Sequence, residues 1–256
     1  MTDPPRSSNQ LPTTRLGGDT RLNLASGAVH IYLCAPERQS PAGLERAWSV
    51  LDEGERQQAE RFVFAIDRLH YTVAHGLLRL SLARYLVQSA RELSFVRTGH
   101  GRPELRSLGG QAALRFSLSH TRGLVGCAVT QVHDIGFDLE WSRRSTLFEL
   151  ADRYFAASEV AGLRELAGEA RNDRFFDIWT LKEAYLKGRG LGLALPLSAF
   201  AVEPRAAGEA ELTLRPADDP TPWTLRRWSF GEHRAALAFG APLESAQVTL
   251  FRDQQL

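Results

Sequence analysis

Along residues 28–34, AVHIYLC, β-branched and aromatic positions alternate with others as in a buried strand. The next stretch, LERAWSVLDEGERQQAERF, changes to a helical period. From Asp67, DRLHYTVAHGLLRLSLARYLVQSA sets Leu69, Val73, Leu77, Leu80 and Val87 near one face and leaves Arg79 and Arg84 to another, which predicts an amphipathic helix covering a core. After LSFVRT, the run GHGRPEL reads as a loop in which Gly99, Gly101 and Pro103 let backbone approach a ligand. Two strands, RFSLSH and LVGCAVT, follow with a turn at 121–123 between them. A strand DIGFDLEW then opens a second series, with helices near 146–168 and 173–188 and strands in AFAVE, AELTLR, WTLRRWSF, RAALAF and AQVTLF. The order strand, helices, strands thus occurs twice. It predicts an α/β (α+β) chain of two similar halves, 27–132 and 133–256, preceded by a Pro-, Ser- and Thr-containing flexible leader over 1–26.

Composition narrows the function classes. With 256 residues, 43% hydrophobic and 24% charged, the chain is sized for one large domain or two small ones with a core of their own. Lys and Arg total 31 against 30 Asp and Glu, so no overall field draws nucleic acid or an anionic membrane. Cys34 and Cys127 both lie in apolar strand-like runs and read as buried reduced thiols, in keeping with a cytoplasmic location. No stretch approaches the roughly 18 apolar residues of a membrane span.

Three clusters could carry chemistry. In DIGFDLEW the period of two sends Ile135, Phe137, Leu139 and Trp141 to one side and Asp138 and Glu140 to the other. Two neighbouring carboxylates repel, and a Mg²⁺ ion between them would remove the cost; a wet acidic strand face is the competing account. In FFDIWTLKEAYLKGRGLGL, Asn172 and Asp173 offer an N-terminal cap, and Gly188 and Gly190 a stop. At about 100° per residue Trp179, Lys182, Glu183, Leu186 and Lys187 share one side while Leu181, Ala184 and Tyr185 gather opposite. Glu183 and Lys187 there suit either a solvated ion pair or a metal ligand beside a phosphate-binding lysine. In FSLSHTRG, Ser117, Ser119 and His120 precede a glycine turn. Adjacent strand residues face opposite ways and no G-x-S-x-G elbow is present, so phosphate donors fit better than a nucleophile and its base.

Taken in order, GRPEL, FSLSHTRG, DIGFDLEW and WTLKEAYLKGRGLGL resemble the Sfp-type 4′-phosphopantetheinyl transferase family over about residues 56–197. The resemblance implies a pseudo-twofold fold with the active site between the halves. It implies transfer of the 4′-phosphopantetheine arm of coenzyme A to a serine of an apo acyl or peptidyl carrier protein, releasing adenosine 3′,5′-bisphosphate. By family position Asp138, Glu140 and Glu183 hold Mg²⁺, or Mn²⁺ in its place, and Glu183 or a water beside it takes the serine proton. Lys187 acts on the departing phosphate and Lys182 stands beside the phosphates. Ser119 and His120 match a phosphate-contacting pair, and Arg102 stands in the family's G-[KR]-P loop as a cation toward coenzyme A. Arg61 and Arg68, in AERFVFAIDRLHYTVAHGLLR, are the candidates for the nucleotide 3′-phosphate. Upstream, where relatives carry lysine, this chain has Gln57, Gln58 and Ala59, which leaves Arg56 as a further cation. Carrier docking is expected within 142–170, around Arg143, Arg144, Leu147 and Phe148, by a monomer that binds no nucleic acid or membrane. Two other readings compete: a metal-dependent phosphohydrolase using the same acidic cluster, and a non-catalytic carrier-binding module.

Overall fold

The computed structural model describes residues 13–14, 21–106, 114–143, 148–244, 247–252 and 254–256. The first series comprises β1 (Thr13–Thr14), β2 (Val29–Cys34), α1 (Pro41–Ser49), α2 (Glu53–Glu60), α3 (Ala65–Ala83), β3 (Phe95–Arg97), β4 (Pro103–Leu105), β5 (Leu114–Thr121) and β6 (Leu124–Gln131). The second comprises β7 (Ile135–Trp141), α4 (Phe148–Tyr154), α5 (Ala157–Arg164), α6 (Gly168–Arg189), β8 (Ala201–Pro204), β9 (Glu209–Leu214), β10 (Thr224–Phe230), β11 (His233–Phe239) and β12 (Val248–Phe251). Strand order is β1-β12-β2-β6-β5 in one five-stranded sheet and β7-β11-β10-β9-β8 in the other. The antiparallel triplets β2-β6-β5 and β7-β11-β10 correspond, with α3 on the first and α6 on the second. This is the expected mixed fold of two similar halves. One strand departs from the sequence division: β12 pairs in parallel with β2, so the first sheet takes a strand from the far end of the chain.

Three apolar cores follow from this layout. One lies between α3 and the first sheet, with Val73, Leu77 and Leu82 against Phe116, Val125 and Cys127. A second lies between α6 and the second sheet, with Phe176, Leu181, Ala184 and Tyr185 against Phe200, Val202 and Ala236. The third joins the sheets through Val29, Ile31 and Leu33 with Phe137, Leu139 and Leu237. Both cysteines are buried and unpaired, and burial pushes their thiols well above the usual range.

Local chemistry explains where the sequence expectations fail. The helical stretch before residue 62 is two helices, because Asp52 accepts from the Glu55 amide at 2.9 Å and Glu55 returns to the Asp52 amide at 3.1 Å, a capping box that starts α2 afresh. α3 stops at Ala83, so Val87 has no helical face to share and is 77% exposed. Arg79, expected on a free face, is wholly buried: it binds Glu55 at 2.6 Å, Asp52, and the carbonyls of Ala90 and Leu93. GHGRPEL is the turn and second strand of a β3-β4 hairpin rather than a loop throughout. α6 begins at Gly168, so Asn172 and Asp173 are not caps. Asn172 instead donates to the Ser142 carbonyl at 2.8 Å and Asp173 pairs with Arg234 at 2.5 Å. Gly190, at φ 65°, ends α6 as expected, whereas Gly188 lies inside the helix.

Gly188 is a glycine for packing. A Cβ built on Gly136 of β7 would stand 1.8 Å from the Ala184 carbonyl oxygen and 2.4 Å from the Gly188 nitrogen, so strand and helix touch backbone to backbone. Gly136→Ala is therefore expected to cost about 1–3 kcal/mol by overpacking, read as a lower urea midpoint at unchanged m. A wild-type midpoint would show that the crossing is looser than described.

Candidate active site

α6 runs antiparallel along β7, and the Gly136–Gly188 contact fixes how the two align. Trp179, Glu183 and Lys187, four residues apart, consequently face the strand one turn after another. Trp179 Nε1 donates to Glu140 Oε1 at 2.9 Å. Lys187 Nζ reaches Asp138 Oδ1 at 2.7 Å, Ser119 Oγ at 2.9 Å and the Phe137 carbonyl at 3.2 Å. Asp138, buried, also accepts from Ser119 Oγ at 2.9 Å, while its Oδ2 is buried with no hydrogen-bond partner. Burial raises the Glu183 carboxyl above its ordinary value and the Asp138 charge adds to this, with Lys187 opposing.

Beside this cluster opens a cleft of about 380 Å³ between the halves, lined by Arg102, Ser117 and Leu118 from the first and Glu183, Leu186 and Lys187 from the second. Arg102 spans the two: its guanidinium donates to the Gly188 carbonyl at 2.8 Å and to Asp134 at 3.2 Å. His120, next to inward-facing Ser119, points outward as the strand alternation requires. Crowding by its surroundings lowers its imidazole pKa, and the positive charge of Lys187 and, more weakly, of His70 and His75 lowers it further. Arg61 and Arg68 lie exposed at the α2–α3 junction, Arg68 donating to the Phe62 carbonyl at 3.3 Å, and neither lines the cleft. Arg56 turns back to the carbonyls of Trp48 and Ser49.

One expectation needs correction. Lys182 does not stand in the cleft. Its ammonium, 0% exposed, pairs with Glu159 of α5 at 2.8 Å and donates to the carbonyls of Leu197 and Phe200. Lys182 lies about 100° round the helix from Glu183, enough to swing its stem toward α5 and β8. Burial lowers the lysine pKa and raises that of Glu159. Among the described residues no three His, Cys, Asp or Glu side chains form a ready-made metal cage. Lys187 and Ser119 hold Asp138, and Trp179 draws Glu140 along the strand. The donor set still fits a hard divalent cation, because Asp138 offers an unpartnered buried oxygen and Glu183 lies close enough to feel the Asp138 charge. Glu159 and the indole of Trp179 escaped functional notice in the sequence, since neither type at its position signals a partner 23 or 39 residues away.

In the docking stretch Phe148 is not free. It packs on the second core edge-on to Phe175, under the Arg171 guanidinium. Exposed Arg143 pairs with Glu169 at 3.0 Å, and Arg144 and Leu147 lie outside the described residues, as does most of the 1–26 leader.

Comparison with known proteins decides among the chemistries such a cleft could serve. Residues 134–238 match the 4′-phosphopantetheinyl transferase superfamily model and residues 38–132 match that of 4′-phosphopantetheinyl transferase, N-terminal. The 4′-phosphopantetheinyl transferase HetI of Nostoc sp. (strain PCC 7120) is 34% identical over 223 residues, 87% of this chain and 89% of the relative. This chain belongs to the 4′-phosphopantetheinyl transferase family. The family's Sfp from Bacillus subtilis (strain 168) is 27% identical over 74% of this chain and 82% of its own. Among solved structures, a holo-[acyl-carrier-protein] synthase of Thermotoga maritima aligns with 43% of this chain and 64% of its own at 18% identity and a TM-score of 0.37. Within this transferase the β7–α6 crossing lies in the matched 134–238 segment, and the cleft beside it is shared with the matched N-terminal segment, from which Arg102 enters.

Proposed function

We propose that this transferase moves the 4′-phosphopantetheine arm of coenzyme A onto a serine of an apo carrier protein in the cleft between its halves. The single observation that carries the site assignment is the Asp138–Lys187–Ser119 cluster, with Glu183 beside it, at the edge of that cleft. The serine oxygen attacks the pantetheine-side phosphorus, the phosphoanhydride bond breaks, and adenosine 3′,5′-bisphosphate leaves with the electron pair. Glu183 takes the serine proton; its raised pKa suits a carboxylate that must accept one near neutral pH. Lys187, already held against Asp138, offers its charge and a proton to the departing phosphate. Arg102 and His120 would contact the diphosphate from the first half, and Arg61 and Arg68, exposed outside the cleft at the α2–α3 junction, would meet the 3′-phosphate of the nucleotide. Asp138, Glu140 and Glu183 would hold Mg²⁺ or Mn²⁺, which supplies charge neutralisation for the diphosphate. Incubation with coenzyme A, Mg²⁺ and a panel of apo carriers is expected to add one phosphopantetheine to a carrier, seen by intact mass. Unchanged mass across the panel defeats the proposal.

The phosphohydrolase alternative finds no support in the relatives, which are named transferases. Chelation of divalent ions is expected to stop transfer, and added Mg²⁺ or Mn²⁺ to restore it; full activity in chelator removes the metal from the reading. The described residues include no helix long and apolar enough to cross a membrane. A cytoplasmic monomer is the state proposed, supported by two buried unpaired thiols for the compartment and checked by light scattering for the oligomer.

A further inference from the structure

β5 and β7 are both edge strands, and they lie side by side across the junction of the two sheets. Edge strands ordinarily join through backbone hydrogen bonds. Here three hydroxyls on one face of β5 do it instead. Ser117 Oγ accepts from the Phe137 amide at 2.9 Å, Ser119 Oγ from the Leu139 amide at 3.1 Å, and Thr121 Oγ1 from the Trp141 amide at 3.1 Å. Alternate residues meet alternate residues at a constant offset of 20, as a strand register would require. Asp138 and Glu140 are the residues between these tethered amides.

Ser119 is the informative member. A hydroxyl has one donor hydrogen and two acceptor lone pairs. Its acceptor capacity is taken by the Leu139 amide and by Lys187 Nζ, so its hydrogen goes to Asp138 Oδ1. The residue is 5% exposed. Nothing is left over for a phosphate oxygen.

We propose that Ser117, Ser119 and Thr121 form a hydroxyl seam that substitutes for a strand ladder between the two halves. Ser119 is then a positioning residue for Asp138 and Lys187 rather than a ligand of coenzyme A. The kinetic part rests on the transferase reading above; the seam itself does not.

Two variants test it. In Thr121→Val, amide exchange at Trp141 is expected to speed several-fold, because a near-isosteric side chain no longer accepts that N–H, and Thr121→Ser restores slow exchange. Unaltered exchange in Thr121→Val overturns the seam, whether or not any carrier is modified. For Ser119→Ala, loss of alignment predicts kcat reduced by about 10²-fold with the KM for coenzyme A unchanged. A raised KM, with or without a fall in kcat, makes Ser119 a phosphate contact and overturns the positioning role. If Ser119→Ala does not fold, Thr121→Val carries the same split in smaller measure: kcat falls at constant KM, and Thr121→Ser recovers it. Wild-type kcat in a Thr121→Val enzyme with fast Trp141 exchange also overturns the positioning role. A wild-type enzyme inactive on every carrier counts against the transferase reading, and the exchange result still judges the seam.

Discussion

Asp138→Asn is expected to lower carrier modification by about 10²–10³-fold, the scale of removing one preorganised electrostatic group. The substitution keeps the shape of the side chain and an oxygen that can accept from Lys187 and Ser119. It removes the negative charge that binds the ammonium and leaves the unpartnered Oδ2 position unable to face a cation. The melting temperature is expected to move little by comparison, because Lys187 is partly exposed and can be solvated. Initial rates by intact mass, with circular dichroism on the same samples, separate the two effects. Wild-type turnover in Asp138→Asn would dismiss this cluster as the reacting centre.

The second large effect falls on stability. Lys182→Met is expected to destabilise the fold by about 3–5 kcal/mol, since it leaves Glu159 buried without its counter-ion and two carbonyls without their donor. Glu159 also accepts from the amides of Ala156 and Val202, so the loss reaches α5, α6 and β8 together. Replacing both partners, Lys182→Met with Glu159→Leu, should recover much of the stability because no isolated charge remains. At temperatures where the single variant is folded, its KM for coenzyme A is expected to stay at the wild-type value. A raised KM with normal denaturant stability would return Lys182 to the phosphates.

These two lysines show what a single sequence can and cannot reveal. Helix periodicity placed Lys182 and Lys187 on a common side, and β7 periodicity placed Asp138 and Glu140 on another, because both patterns are local. Which lysine meets which carboxylate depends on tertiary features. Gly136 and Gly188 bring two backbones into contact and align Lys187 with Asp138; α5 supplies Glu159 to Lys182 from 23 residues upstream. Arg79 failed for the same reason, its partners being the cap residues of another helix. The repeated order of strands and helices was legible because each half carries its own apolar pattern. The return of β12 was not, since AQVTLF reads equally well in either sheet.

That return governs the order of events during synthesis. Val29 of β2 pairs with Val248 of β12, so the N-terminal sheet cannot be completed until β12, more than 200 residues further on, has left the ribosome. Such a long loop closure is entropically slow. A nascent chain stalled after β11 would hold one flank of β2 open to wrong strands, and removing β12 from the finished protein would loosen the half farther from it in sequence.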